Sequence, residues 1–182
     1  MNPSDKIFYP ELYNYKDYKL WEGNWELIQG YPVAMSPSPK RIHQKFSQAF
    51  SRLAGNILSE NKSCGCEIFY ELDWVVNDNT VVRPDCMIVC GEFKEDYLTV
   101  PPMLILEISS PSTAMVDRNT KHRLYEMYGV KYYILADSEK KTVEVFQLSD
   151  NKYKETKTTT FLLTSSCSVE LDVFNLWEKI CS

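Results

Sequence analysis

The sequence predicts an α/β fold, a mixed β-sheet flanked by helices. Two observations carry this expectation. Apolar residues recur at helical spacing in two separated stretches, and β-rich runs fill the chain between and after them. Helix, several strands, a helical crossover and further strands, in that order, require a sheet that mixes connection types.

The elements follow from local chemistry. NWELIQGYPVAMS holds two β-rich runs around Gln29-Gly30, a short hairpin by its turn residues. Ser36-Pro37-Ser38-Pro39 stops the second run and is expected to open a helix with Ser38 as N-cap and Pro39 at the first helical position. Ile42, Phe46, Ala49, Phe50, Leu53 and Ile57 carry that helix to about Glu60. CEIFYELDWVV and VVRPDCMIVC then read as strands, with Asp78-Asn79 as a turn. After Pro101-Pro102 comes MLILEIS, and after Pro111 a second helix, capped by Ser112 or Thr113 and ending near Gly129. VKYYILAD and KTVEVFQLS are two strands around Ser138-Glu139-Lys140. A β-rich stretch and a short helix, DVFNLWEKI, close the chain.

With 182 residues, 44% hydrophobic and 13% aromatic, the chain is expected to form one domain over residues 1–182, residues 1–20 being an arm ahead of the core. A net charge of −5 excludes indiscriminate, charge-driven adhesion of the whole surface to nucleic acid, though not a local basic groove. No window reaches the roughly 18 uninterrupted apolar residues of a membrane span. The start, MNPSDKIFYPELYNYKDY, lacks the basic and apolar regions of a signal peptide. A cytoplasmic protein without membrane contact is expected, its six cysteines mostly reduced and buried as small hydrophobes. The C-G-C at Cys64 and Cys66, and Cys86 with Cys90, match no familiar zinc spacing.

Glu107 is an anomaly. It sits inside the apolar run Met103-Leu104-Ile105-Leu106, where an unpaired carboxylate costs several kcal/mol. Asp85 repeats the anomaly at the head of CMIVC, next to Pro84, which belongs at a strand start or edge. Two strands joined by GEFKEDYLTVPP bring both acids side by side, where either one carboxyl keeps its proton or a cation sits between them. Hard oxygen ligands select Mg²⁺ or Mn²⁺, held by one or two carboxylates with waters and a substrate phosphate. Metal-assisted phosphodiester hydrolysis is the chemistry this suggests. Taken alone, Asp85 reads equally as a turn residue, and Glu107 also as half of an internal salt bridge.

The second helix adds a cation. With Ala114 at the origin and about 100° per residue, Asp117 falls near 300° and Lys121 near 340°, inside the arc of Val116, Met127, Leu124, Tyr128 and Tyr125. Arg118, His122, Glu126 and Arg123 take the other side. An inward Lys121 near two metal-binding acids could orient the attacking water or neutralise developing phosphorane charge. The alternative is a solvated i, i+4 pair.

These residues resemble a known family. R-P-D at Arg83–Asp85, E-I-S-S-P-S-T at Glu107–Thr113, D-R-N-T-K at Asp117–Lys121, Tyr125 and G-V-K-Y-Y-I-L-A-D at Gly129–Asp137 resemble the Uma-type putative restriction endonuclease family of the PD-(D/E)XK nuclease superfamily. W-E-L-I-Q-G-Y-P at Trp25–Pro32, M-S-P-S-P at Met35–Pro39 and His43 extend the likeness, which spans roughly residues 20–150. The resemblance implies a restriction-endonuclease-like core with a divalent metal at Asp85 and Glu107. The position two after Glu107 is Ser109 rather than the superfamily's lysine, and the resemblance places that lysine on the following helix, at Lys121.

Glu26 matches a family acid, a second contact for the metal region or else an exposed strand residue opposite Trp25 and Leu27. Asp117, Tyr125 and His43 are expected to support the site, His43 also reading as a partly buried histidine beside Phe50. Lys40, Arg41, Lys45, Arg83, Arg118 and Arg123 are candidate phosphate contacts, or scattered surface charges. The expected function is an Mg²⁺-dependent or Mn²⁺-dependent endonuclease acting on DNA, with a homodimer as the expected assembly. A binding module that kept the fold without catalysis, and a glycosidase using Asp85 and Glu107, are the competing readings.

Overall fold

The computed structural model describes residues 11–35, 38–111 and 113–181. Helix α1 (Tyr15–Tyr18) is one turn closed by a reciprocal cap: the Asn14 side chain accepts from the Lys16 and Asp17 amides, and the Asp17 carboxylate accepts from the Asn14 amide. Strands β1 (Trp25–Ile28) and β2 (Tyr31–Ala34) form the expected hairpin, with Gln29 and Gly30 at φ of 53° and 85°, the left-handed pair that a two-residue turn requires.

Helix α2 (Arg41–Glu60) starts later than its sequence suggests. Lys40, not Ser38, is the N-cap; its extended backbone at ψ 154° places Pro39 in the lead-in, and the first helical bond runs from the Gln44 amide to the Lys40 carbonyl. Ser36, Pro37 and Ser112, expected in turn or cap positions, lie outside the described residues. Phe46 and Phe50 of the apolar stripe are fully buried.

The main sheet has six strands in the order β10 (Lys152–Thr156), β9 (Thr142–Ser149), β8 (Tyr132–Asp137), β7 (Leu104–Ser109), β6 (Cys86–Cys90), β3 (Cys66–Tyr70). β7 and β8 run parallel and the other pairings in this sheet are antiparallel. The parallel pair needs a crossover, and α3 (Val116–Lys121 continued by His122–Met127) supplies it. A second sheet pairs β1 with β2 and with β5 (Thr80–Val82), which pairs in turn with β4 (Trp74–Asn77). Strands β11 (Thr160–Thr164) and β12 (Cys167–Glu170) and helix α4 (Leu176–Cys181) end the chain.

Alternation along β7 divides the core. Leu104, Leu106 and Ile108 pack on the side of α2, α4, β11 and β12, with Phe46, Phe161 and Trp177. Ile105 faces the other side, with Tyr125, Tyr133, Trp74 and Val82. Glu107 shares that second face, under α3 and the small sheet.

Helix α3 is not a uniform α-helix. Val116–Lys121 is a π turn and His122–Met127 an α turn, ending at Gly129 with φ 80°. The wider i→i+5 turn delays the buried face by about one residue. This corrects the regular wheel: Met127 is exposed, while His122 is half-buried, edge-on to the rings of Phe146 and Tyr153.

The cysteines are a second correction. Cys64 is joined to Cys167 and Cys66 to Cys90, so four of the six are disulfide-bonded rather than reduced; Cys86 and Cys181 are free. Strand pairing explains one of the two bridges, because Cys66 lies directly opposite Cys90 between β3 and β6. Among the described residues no helix is long and apolar enough to cross a membrane.

Candidate active site

The acids converge where β1, β6, β7 and α3 meet. Cys86 pairs with Leu106, so the residue before it, Asp85, comes beside Glu107. Asp85 Oδ2 accepts the Ile108 backbone N–H at 2.6 Å and lies 3.1 Å from His43 Nε2 on α2. Glu107 Oε1 accepts from Lys121 Nζ at 2.9 Å and from the Tyr125 hydroxyl at 2.6 Å. Glu26 is buried, not exposed as simple alternation allowed, because β1 is an inner strand of the small sheet with residues packed against both of its faces; its Oε1 accepts from Lys121 Nζ and from the Arg83 backbone N–H, both at 2.8 Å. Asp117 Oδ1 is 4.0 Å from the same ammonium.

The π turn places that ammonium. Asp117 and Lys121 both lie in it and are buried. The Tyr133 hydroxyl of β8 donates to the Asp117 carbonyl at 3.1 Å, pinning the turn to the sheet. Ser109, where the superfamily pattern has lysine, is also buried, and its Oγ has no hydrogen-bond partner among the described residues.

Three buried carboxylates surround one ammonium, and this excess of negative charge sets the electrostatics. Burial raises the Glu107 carboxyl well above its ordinary range; Lys121 opposes this, and Asp85, Asp117 and Glu26 reinforce it. Burial also pushes Asp117 up to about 6. Burial alone would lower Lys121, but Glu107, Glu26 and Asp117 carry it well above the usual lysine value, so the ammonium keeps its proton. Burial lowers and the Asp85 hydrogen bond raises His43, with a net upward shift. Burial, then the Glu107 charge, hold the Tyr125 phenol protonated.

Glu26, Asp85, Glu107, Asp117, Lys121, His43 and Lys40 line one cavity of about 200 Å³. His43, Glu71 and Asp85 also border a second hollow of about 470 Å³ that runs along α2 past Gln44, Gln48 and Arg52. Glu71 was not singled out from the sequence; the one signal there is its place between two β runs, where it takes a left-handed φ of 45°.

The candidate phosphate contacts separate into two groups. Arg83 is committed to Asp73 at 2.7 Å, and to Tyr18 and Asn24; Arg118 is paired with Glu144; Lys45 donates to the Ile180 carbonyl at 3.2 Å. Lys40 lines the cleft, and Arg41, the first residue of α2, and Arg123 are exposed.

Asp85 and Glu107 are the residues that could hold a divalent ion. With Cys64, Cys66, Cys90 and Cys167 closed in disulfides, no group of three or more His, Cys, Asp or Glu side chains among the described residues is arranged to hold a metal. Two carboxylates completed by water and phosphate are the ordinary complement of Mg²⁺, and the charge excess around Lys121 is one a cation would relieve, so these residues fit the ion.

The family model Uma2, described as "Putative restriction endonuclease", matches residues 15–177. The chain belongs to the Uma2 family. A solved structure similar to this Uma2 chain is a putative nuclease belonging to DUF820 from Anabaena variabilis ATCC 29413, with a TM-score of 0.66 and 17% identity over 88% of this chain and 96% of that one. The two share a fold, the mixed sheet flanked by helices expected from the sequence. A DrdV–DNA complex matches at a TM-score of 0.34 and 11% identity, over 78% of this chain and 13% of the DrdV chain. No curated protein matches. Family and fold together support a nuclease-like function.

Proposed function

We propose that this Uma2 chain is a divalent-metal-dependent endonuclease that hydrolyses DNA phosphodiester bonds, acting as one nuclease domain with residues 1–20 as its arm. The observation that carries the reading is the Glu107 carboxylate, buried beside Asp85 at the floor of a cleft and held by Lys121. Mg²⁺ or Mn²⁺, held by Asp85 and Glu107, would polarise the scissile phosphate and lower the pKa of a bound water.

The chain's own groups supply the rest. The Ile108 amide and His43 fix the Asp85 carboxylate. Lys121 and Tyr125 fix Glu107, and Glu26 holds Lys121 from the other side. With its proton retained, Lys121 acts as a cation near the charge developing on phosphorus, not as a base. Lys40 in the cleft, and the exposed Arg41 that follows it, would engage neighbouring phosphates. One cleft per chain makes cutting both strands a task for a two-fold pair of chains, with cytoplasmic DNA as the target.

The test is nicking and linearisation of supercoiled plasmid in Mg²⁺ and in Mn²⁺, with Glu107→Ala and Asp85→Ala in parallel and calorimetric metal titration beside it. Cleavage by the wild type alone supports the reading. No cleavage and no bound ion would overturn it and leave a binding module on the same fold.

A further inference from the structure

Four cysteines from three distant parts of the chain meet around Gly65. Cys64 ends a short 3₁₀ turn and Cys66 begins β3, with Gly65 between them in the left-handed region at φ 58° and ψ 34°. Across the β3–β6 pairing Cys90 faces Cys66, with Cα atoms 3.9 Å apart, and the Gly91 amide donates to the Gly65 carbonyl at 2.8 Å. Cys167, at the head of β12, is 103 residues from Cys64, yet their Cα atoms are 5.2 Å apart. The Cys66 sulfur lies 3.3 Å from the Cys64 carbonyl oxygen, so the two pairs adjoin.

This grouping has the composition of a structural zinc centre. Four thiolates are a complete tetrahedral set for Zn²⁺, and such sites tie together elements distant in sequence. A four-thiolate zinc centre carries two net negative charges. Lys62 and Lys94 line the surface hollow that also exposes Gly65, Cys66 and Gly91, and would offset that charge. The spacing is invisible to motif reading because the ligands come from the turn before β3 and from β3, β6 and β12 rather than from two short Cys-x-x-Cys runs. The centre is distinct from the acid cleft: β6 follows Asp85 and ends at Cys90, roughly 17 Å along an extended strand.

We propose that Cys64, Cys66, Cys90 and Cys167 form a redox-gated site for one Zn²⁺. Reduced, the four thiolates hold the ion; oxidised, they close as the two disulfides of this structure and release it as the hydrated ion. Each Cys–Cys bond forms as the S–S bond of one small-molecule disulfide, such as oxidised glutathione, breaks. The two sulfurs of that molecule take the two electrons and, with two protons from solvent, leave as thiols. Two such molecules convert the four thiolates.

The full chain, reduced with a phosphine and kept anaerobic, is loaded with Co²⁺ as the probe. The expected result is one Co²⁺ per chain with the intense absorption of tetrahedral thiolate ligation, displaced by Zn²⁺. Oxidised glutathione should abolish it while thiols titrated in denaturant fall from six to the two of Cys86 and Cys181. Cys90→Ser should lose the tetrahedral spectrum, and the Cys86→Ser, Cys181→Ser double variant should keep it. A reduced chain with all six thiols titratable that binds no Co²⁺, or binds it only with the weak octahedral spectrum of oxygen ligands, overturns the proposal. Wild-type protein alone decides this, even where Cys90→Ser does not fold, and independently of cleavage.

Discussion

Replacing Lys121 by methionine isolates the charge balance of the cleft. Methionine keeps most of the aliphatic stem and deletes the ammonium, so the change is electrostatic rather than a cavity. Lys121 is 5% exposed and bridges Glu26 at 2.8 Å and Glu107 at 2.9 Å. Deleting one partner of such a buried pair costs about 3–5 kcal/mol, because the remaining charges stay buried without compensation. For a domain of this size about 2–4 °C accompanies each kcal/mol, so the melting midpoint should fall by roughly 6–20 °C near neutral pH.

The pH dependence has a definite sign. Glu107 already has a folded-state pKa raised above its unfolded value. A raised carboxyl gives stability that is fully present below the unfolded pKa and lost as pH rises through the folded one. Without the ammonium, Glu107 and Asp117 rise further, so the gap between Lys121→Met and wild type should widen from acid to neutral pH. Scanning calorimetry in chelator across that range measures it. A midpoint within about 2 °C of wild type, or a gap that does not change with pH, would refute the account of Lys121 as the cation that keeps three buried acids in place.

Asp117→Asn should flatten the pH dependence of stability. With its carboxyl raised from 3.8 to about 6 in the folded chain, Asp117 costs about 3 kcal/mol by neutral pH relative to acid; denaturant midpoints across a pH series read this out. Arg83→Gln should lower stability by about 1–3 kcal/mol by stranding Asp73, and leave the salt dependence of DNA binding by a Glu107→Ala background unchanged. Lys40→Ala and Arg41→Ala, in that same background, should each lower the slope of log affinity against log salt by about one. Unchanged slopes in fluorescence anisotropy would remove these two residues from the phosphate path.

What the sequence revealed of the site was what violated local rules. Asp85 and Glu107 were visible because acids head or interrupt apolar strands, and Lys121 because it fell on an apolar arc. Glu26 was ambiguous, since alternation describes one strand and burial on both faces depends on what packs against each side of the small sheet, Tyr18 on one and Tyr125 on the other. Arg83 and Arg118 looked like free cations because their partners, Asp73 and Glu144, sit on other elements. The π turn was illegible for a different reason: a helical wheel assumes one pitch, and Val116–Lys121 has another. The cysteine pairs are hidden by sequence order: Cys66 meets Cys90 through the β3–β6 pairing, and Cys64 meets Cys167, 103 residues on, through tertiary packing.

The crossover between β7 and β8 also makes the cleft a product of tertiary packing. Glu107 lies on β7, and Lys121 reaches it from the α3 crossover that leads to β8. Glu26 and Asp85 come from β1 and from the residue ahead of β6. A chain in which α3 has not packed carries Glu107 in water, where it is ionised at no cost. An incompletely folded chain therefore has no assembled cleft.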